Sequence, residues 1–173
     1  MKTYIILLRG INVSGKNKLP MAELKTLLQD LNFEKVQTYI QSGNIILKSE
    51  EEKATISIKI KTEIANKYGY DVPVLTKTIE EWREGIENNP FKEVAEKQQY
   101  FTFLSEASKI TEIEVNAKED EFTINNNMVY VNAVGGYGKT KLNNNFFEKK
   151  LKVEATTRNL KTTLKLLELA NKE

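Results

Sequence analysis

The stretch TYIILLRGINVSGKN, residues 3–17, begins as an apolar run and continues as a basic loop punctuated by Gly10 and Gly15. Residues 3–8 are typical of a buried β-strand, and Pro20 followed by leucines at helical spacing predicts a helix over residues 20–31. A strand, glycines and then a helix gather backbone N–H groups and a lysine around one point. The stretch therefore predicts the first elements of the fold and an anion site, with a plain structural turn as the alternative.

The rest of the first half continues as strand, strand, helix and strand. Residues 36–40 and 44–47 flank Gly43, which predicts a tight hairpin. Residues 54–68 carry isoleucines at strand and at helix spacing, and the longer helical pattern ending at Gly69 favours a helix. With a strand over 72–76, the predicted order is β-α-β-β-α-β, which is ferredoxin-like.

The second half repeats this order. The predicted elements are a connecting helix over 78–88, strands over 99–104, 121–124, 128–134 and 153–155, and helices over 108–115, 143–151 and 157–170. In the last helix we expect Leu160, Leu164 and Leu167 to face inward. We predict an α+β fold of two ferredoxin-like halves with antiparallel sheets covered by helices, over residues 1–77 and 99–173, joined by a connecting helix and linker over 78–98.

Composition narrows the chemistry that the chain can perform. Its 173 residues include no cysteine and no histidine, which excludes disulfides, thiolate chemistry, zinc sites and Ser-His-Asp triads. Catalysis would have to rest on carboxylates, lysine, tyrosine or an oxygen-bound metal. The apolar amino-terminal run is too short for a signal peptide or membrane span, so we expect a cytoplasmic protein with no membrane association.

Charge is strongly segregated along the chain. Residues 1–20 carry four basic and no acidic side chains, residues 80–121 twelve acidic and five basic, and residues 139–165 eight basic and two acidic. The two basic segments hold the glycine loops and would attract negative ligands. The alternative is that both are solvated faces of a lysine- and glutamate-rich protein.

Two loops approach the phosphate-loop pattern G-x-x-x-x-G-K-[ST]. Residues 10–17 match it except that Asn17 replaces the hydroxyl residue that would hold magnesium, and residues 133–140 match a looser form. Both basic segments lack the carboxylate cluster that metal-assisted phosphoryl transfer requires. We therefore predict no metal site and assign no cofactor and no catalytic residue; the chain is more typical of a binding protein than of an enzyme.

Topology predicts which of these segments meet. In a β-α-β-β-α-β unit, the loop at residues 9–18 should lie beside the hairpin at 41–44, and residues 135–141 should lie beside 156–159. Thr156 or Thr157 could also cap the last helix. Phe101 and Phe103 share one strand face, as in RNA-binding sheets, but no RNA-recognition signature accompanies them and we predict that they are core.

Four blocks of the chain, LLRGINVSGKNKLPMAEL, TYIQSGNI, KLNNNFFEKKL and ATTRNLKTTLKL, resemble the bacterial family known as domain of unknown function 1697. The resemblance implies two ferredoxin-like halves and no established activity. Its pattern falls on Arg9, Gly10, Asn12, Gly15, Lys16, Asn17, Gln41, Ser42, Gly43, Asn44, Lys141, Leu142, Asn144, Thr156, Thr157, Arg158 and Asn159. The chain departs from it at Ser14, where glycine is usual, and at Leu160, where tryptophan is usual.

The resulting hypothesis is a phosphorylated or other anionic ligand bound in a polar cleft between the two halves. The ligand-binding residues that we predict are Arg9, Asn12, Gly15, Lys16, Asn17, Gln41, Ser42, Asn44, Lys141, Thr156, Thr157, Arg158 and Asn159. A nucleic-acid-binding module is the first alternative, and a metal-assisted phosphoryl- or nucleotidyl-transfer enzyme is the second. The sequence does not determine the oligomeric state.

Overall fold

The computed structural model describes residues 1–172, and these divide into two compact units. The first unit comprises Met1–Arg83 together with the chain from Leu166 onward, and the second comprises Glu84–Lys165. No helix within residues 1–172 combines the length and the apolar character needed to cross a membrane.

The first unit has the predicted ferredoxin-like order. Its elements are β1 (Lys2–Leu8), α1 (Met21–Asp30), β2 (Glu34–Tyr39), β3 (Asn44–Ser49), α2 (Lys53–Tyr68) and β4 (Val74–Thr78), followed by α3 (Ile79–Glu87), which carries the chain into the second unit. The strands form one antiparallel sheet in the order β2-β3-β1-β4. This arrangement places the end of β1 beside the hairpin between β2 and β3.

The core of the first unit lies between the sheet and helices α1 and α2. In α2, Ile56, Ile60 and Ile64 are fully buried whereas Ile58 is 65% exposed, so the helical interpretation of this segment is correct. Burying each isoleucine contributes about 1.5–3 kcal/mol, which explains why the every-fourth pattern prevails over the alternating one. The helix ends where Gly69 adopts a left-handed conformation, with φ of 71°.

The second unit repeats the strand order. Its elements are β5 (Gln99–Leu104), β6 (Glu121–Asn125), β7 (Met128–Asn132), α4 (Asn144–Leu151) and β8 (Ala155–Asn159), with 3₁₀ turns at Glu96–Gln98 and Tyr137–Lys139. The last helix, α5 (Leu160–Ala170), begins in this unit, and its residues from Leu166 onward belong to the first. The antiparallel sheet has the order β6-β7-β5-β8. Phe101 and Phe103 are each 1% exposed, which agrees with their prediction as core residues.

The predicted helix over residues 108–115 is wrong, because the chain between β5 and β6 contains no helix. Ile113, Val115 and Ala117 pack against the core of the second unit. Their spacing of two residues is that of an extended segment that turns alternate side chains inward. The Ser108 hydroxyl anchors the segment by donating to the Leu151 carbonyl at 2.8 Å and accepting from the Ile110 N–H at 3.0 Å.

The last strand and helix also differ from the prediction. β8 extends through Asn159, and α5 starts at Leu160, because β-branched threonines pair well with β5. The cap of α5 is Asn159, whose side-chain oxygen accepts the Thr162 N–H at 2.8 Å. The inward orientation predicted for Leu164 is wrong, since this side chain is 44% exposed. Thr163 is buried instead, and its hydroxyl donates to the Asn159 carbonyl.

Candidate functional site

Asn12 ties the loop after β1 to the neighbouring hairpin. Its amide nitrogen donates to the carbonyls of Leu19 and Gln41, both at 2.9 Å, and its amide oxygen accepts the Leu19 N–H at 2.8 Å. The loop therefore lies beside the hairpin, as the topology predicted. Because three hydrogen bonds engage the Asn12 amide, its visible role is to hold the loop.

Asn17 closes the same loop. Its side-chain nitrogen donates to the Gly10 carbonyl at 2.9 Å, and its own carbonyl accepts the Asn12 N–H at 3.1 Å. Asn12, Ser14 and Asn17 have φ values between 49° and 54°, the left-handed region that asparagine tolerates better than most residues. Asn17, which departs from the phosphate-loop pattern, is thus suited to the left-handed backbone conformation at its position.

The hairpin between β2 and β3 is packed tightly under this loop. Gly43 has a φ of 83°, and its carbonyl accepts the Leu8 N–H at 2.8 Å. A Cβ atom added at Gly43 would lie 2.7 Å from the Leu8 Cβ and 2.9 Å from the Ile11 Cδ1. The buried Asn44 amide donates to the Tyr39 carbonyl and to the Ser42 hydroxyl, both at 2.9 Å. Ser42 and Asn44 therefore stabilise the turn.

The charged side chains of the loop are more accessible than its amides. Lys16 and Gln41 are exposed and Arg9 is half-buried, while the Lys16 N–H closes a turn onto the Val13 carbonyl at 2.9 Å. Gly15 occupies this turn with a φ of 74°, which glycine adopts without strain. The first unit thus presents Lys16 from a backbone that asparagine amides hold in place.

In the second unit, Tyr137 connects the glycine loop to β8. Its hydroxyl donates to the Thr157 hydroxyl at 3.2 Å and accepts the Asn144 N–H at 3.0 Å. The Thr157 hydroxyl donates to the Asn144 side-chain oxygen at 2.7 Å and lies 2.8 Å from the Thr102 hydroxyl. The predicted meeting of residues 135–141 with β8 therefore occurs through Tyr137, which the pattern search did not single out because it looked for charges and glycines.

The side chains of Thr156 and Arg158 lie on the opposite face of β8 from the side chain of Thr157. Successive side chains of a strand point to opposite faces, and Thr156 and Arg158 are 1% and 8% exposed. Nη1 of Arg158 donates to the Thr156 hydroxyl and to the Thr157 carbonyl, both at 2.9 Å. Burial lowers the pKa of Arg158 to about 10, opposed by Tyr137, so the guanidinium stays charged at neutral pH.

A cavity of about 350 Å³ lies at the end of the segment that replaces the missing helix. We call it the lysine cavity; its lining residues are Ala117, Lys118, Glu119, Asp120, Val134, Gly135, Lys139 and Lys141. Asp120 secures one wall by accepting the Val134 N–H at 2.9 Å. A Cβ at Gly135 would lie 3.4 Å from the Lys139 Cδ, so the lysine stem lies closely over the glycine.

Of the residues predicted for a ligand, the lysine cavity contains only Lys141. Sequence reasoning missed Lys118, Glu119 and Asp120 because they belong to the segment counted as acidic. Lys139 was within the looser phosphate-loop match, which was a usable signal. The fold brings together acidic and basic segments that are separated in the sequence, since Asp120, Lys139 and Lys141 line one cavity.

The first unit also contains a buried cation. Lys77 on β4 is 6% exposed, and burial lowers its pKa to about 8, opposed by Glu81 and reinforced by Lys53. Glu81 is paired with Lys53 and accepts the Thr78 N–H at 2.8 Å. Burial by itself would raise the pKa of Glu81, but these partners, with Lys77, bring it below its ordinary value. The buried Lys77 therefore lies near the ion pair that Glu81 forms with Lys53.

Side-chain clusters suited to a metal ion are absent from the part of the chain that the structure describes. Residues 1–172 contain no group of three or more aspartate or glutamate side chains placed to hold a metal ion. Glu119 and Asp120 therefore belong to no such group, and they line a cavity that is also lined by lysines.

Fold and side chains together define an α+β protein made of two ferredoxin-like units, one with a rigid loop and one with a lysine cavity. The chain belongs to the family described as "Protein of unknown function (DUF1697)", whose model matches residues 1–130. It is also similar to a solved structure described as the conserved bacterial protein SP0830 from Streptococcus pneumoniae. The two are 28% identical, with a TM-score of 0.75 and 98% of each chain covered. No curated protein matches the chain.

Proposed function

We propose that the protein binds a phosphorylated or other anionic ligand, and that the lysine cavity of the second unit is where the charge of the ligand is held. The observation that carries the proposal is the convergence of Lys118, Lys139 and Lys141 on one cavity beside Gly135. Lysine ammonium groups are compact point charges suited to phosphate.

The charge balance of the cavity favours an anion. Three lysines line the cavity together with Glu119 and Asp120, which leaves one formal positive charge in excess. Asp120 already accepts one hydrogen bond from the Val134 backbone, which fixes the acidic wall. Because the lysines are exposed, salt screens them over about 8–10 Å, and we expect affinity that falls as ionic strength rises.

A calorimetric titration of the full chain with pyrophosphate tests this proposal. The double variant Lys139→Met, Lys141→Met should weaken binding by about tenfold or more, equivalent to about 1.4 kcal/mol for two exposed lysines. The matched control is Lys149→Met, Lys150→Met, which removes the same charge from exposed positions on α4. Equal losses in the two double variants would mean that only net charge matters, and the proposed site would then be wrong.

The loop of the first unit enters this proposal as a separate hypothesis. Arg9 and Lys16 were predicted to share one cleft with Lys141 and Arg158, and that prediction remains to be tested by binding. Lys16→Met should weaken pyrophosphate binding if the loop contributes, whereas Lys18→Met, an exposed lysine on the same loop, is its control. Unchanged affinity in Lys16→Met would confine the site to the second unit.

The first alternative, a nucleic-acid-binding module, would use exposed aromatic rings on which bases stack. The phenylalanines considered for this role are buried, and Phe101 packs edge-on against Tyr130 with ring centroids 5.8 Å apart. Anion binding therefore has the stronger support, and oligonucleotides belong in the same titration at two salt concentrations.

A further inference from the structure

We infer that the anion in the lysine cavity is the phosphate of a small phosphosugar, whose neighbouring hydroxyl groups donate hydrogen bonds to Glu119 and Asp120. This inference rests on the proposed function and adds the chemical class of the ligand. It starts from the feature that a simple phosphate site would not need, namely two carboxylates in the wall of a cavity lined by three lysines.

The carboxylates have hydrogen-bonding capacity suited to hydroxyl donors. A carboxylate can accept about four hydrogen bonds, and Asp120 accepts one from the Val134 N–H. That bond holds the side chain in position without saturating it. Glu119 is the adjacent residue and lines the same cavity, so two consecutive residues supply carboxylate acceptors to its lining.

Ammonium and hydroxyl groups could both donate hydrogen bonds to these carboxylates, and the charge of the cavity favours hydroxyl groups. An ammonium group would bring a fourth cation close to Lys118, Lys139 and Lys141, which is electrostatically unfavourable. Neutral hydroxyls satisfy the carboxylates without adding charge, while the phosphate offsets the excess positive charge. A molecule that carries a phosphate and a pair of hydroxyls therefore complements both the lysines and the carboxylates of the cavity.

Size restricts the ligand further. The cavity of about 350 Å³ lies near the lower limit of roughly 300–1,000 Å³ for small-molecule sites. Its apolar lining consists of the small Ala117 and of Val134, which is 41% exposed. A compact sugar ring fits this lining better than an extended polymer or a large aromatic group.

The test compares four probes by calorimetry on the full chain: inorganic phosphate, ribose 5-phosphate, 2-deoxyribose 5-phosphate and O-phosphoserine. Ribose 5-phosphate should bind about tenfold more tightly than phosphate and than its deoxy analogue, because a hydrogen bond to a charged acceptor is strong. Glu119→Gln should reduce the ratio of the affinity for ribose 5-phosphate to the affinity for inorganic phosphate, with both affinities measured on the same variant. Glu114→Gln, which changes an exposed glutamate outside the cavity lining, is the matched control.

The outcomes separate this inference from the function beneath it. Equal binding of ribose and deoxyribose phosphates, or tighter binding of O-phosphoserine, would overturn the phosphosugar assignment even if Lys139→Met, Lys141→Met abolished phosphate binding. Failure of all four probes to bind, or binding indifferent to the lysines, would remove the anion site and the inference together.

Discussion

The two units share one strand order but differ in what lies between their first and second strands. In the first unit this connection contains α1, and the loop before it is held by asparagine amides. In the second unit an extended segment takes the place of the helix and ends at the lysine cavity. The sheet topology thus tolerates two ways of covering its core, and the less regular one creates the recess.

The polar side chains follow the same contrast. Asn12, Asn17 and Asn44 donate to backbone carbonyls and stabilise one loop system, whereas Tyr137, Thr157 and Asn144 hold the glycine loop of the second unit. Residue patterns that resemble a ligand site can therefore reflect the requirements of a tight turn. The glycines also differ between the units: a Cβ added at Gly43 would collide with Leu8, whereas one added at Gly138 would meet no atom within 4 Å.

Gly43→Ala should destabilise the first unit by about 3 kcal/mol or more, because the new Cβ would collide with Leu8 and the backbone would be strained at its positive φ. Urea unfolding followed by fluorescence of Trp82, the only tryptophan, measures this in the first unit. The control in the second unit is Gly138→Ala, whose Cβ meets no atom within 4 Å, and far-ultraviolet circular dichroism follows the unfolding of both variants alongside the fluorescence. Comparable losses for both glycines would contradict the contrast.

Asn12→Ala should cost about 2–3 kcal/mol, since it removes three hydrogen bonds and leaves the Leu19 and Gln41 backbone groups without this partner. The same urea titration by Trp82 fluorescence applies. Asn17→Ala, which removes the side-chain hydrogen bond to the Gly10 carbonyl, should cost about 1 kcal/mol. A smaller effect for Asn12 than for Asn17 would show that the loop is not held as described.

Stability of the first unit should rise between pH 8 and pH 9.5 because of Lys77. Its folded pKa of about 8 lies below the ordinary value of 10.5, so in this range the unfolded chain binds more protons and rising pH favours the folded state. The gain is about 1–2 kcal/mol, since one pKa unit corresponds to about 1.4 kcal/mol. Tyr68 and Tyr130, with pKa values raised to about 12, act in the opposite direction only above about pH 10.

Lys77→Met is the variant that checks this assignment. Its unfolding free energy, measured in urea at pH 8 and pH 9.5, should change less than that of the native chain. An equal rise in the two proteins would assign the pH dependence to another group. Lys48→Met, on strand β3 of the same sheet and half-buried, provides the comparison for removal of a lysine from the sheet.

Tyr137→Phe should have the smallest effect, about 1 kcal/mol, and it should act on the second unit. It removes the hydroxyl shared by Thr157 and the Asn144 N–H but keeps the ring that lies 5.3 Å from Tyr100. Urea unfolding followed by far-ultraviolet circular dichroism measures the loss. Tyr39→Phe, whose half-buried ring lies on β2 of the first unit, is a matched control, and an equal effect there would argue against the Tyr137 network.

Much of the fold was predictable because hydrophobic periodicity is local. The every-fourth isoleucines of α2 and the apolar run of β1 specify their elements through burial alone, and strand order follows from the connections. The errors occurred where apolar spacing was ambiguous. The predicted helix over residues 108–115 is such an error, because Ile113, Val115 and Ala117 alternate as an extended chain does.

The candidate site was predicted less well because its parts are distant in sequence. The glycine loop predicted Lys141, but nothing in the sequence predicted that the acidic segment would meet this loop, where Asp120 accepts the Val134 N–H. Arg158 and Thr156 were grouped with Thr157 by sequence proximity, and the alternation of strand side chains separated them.

Local sequence thus determined the α+β class, the ferredoxin-like order and the glycine positions, because each depends on the conformational preferences and burial of neighbouring residues. Only the tertiary structure decided which charges converge, since sheet pairing joins residues far apart along the chain. The amides of Asn12 and Asn17 were recognisable as a pattern, but their role in holding the loop depended on carbonyls that folding brought within hydrogen-bonding distance.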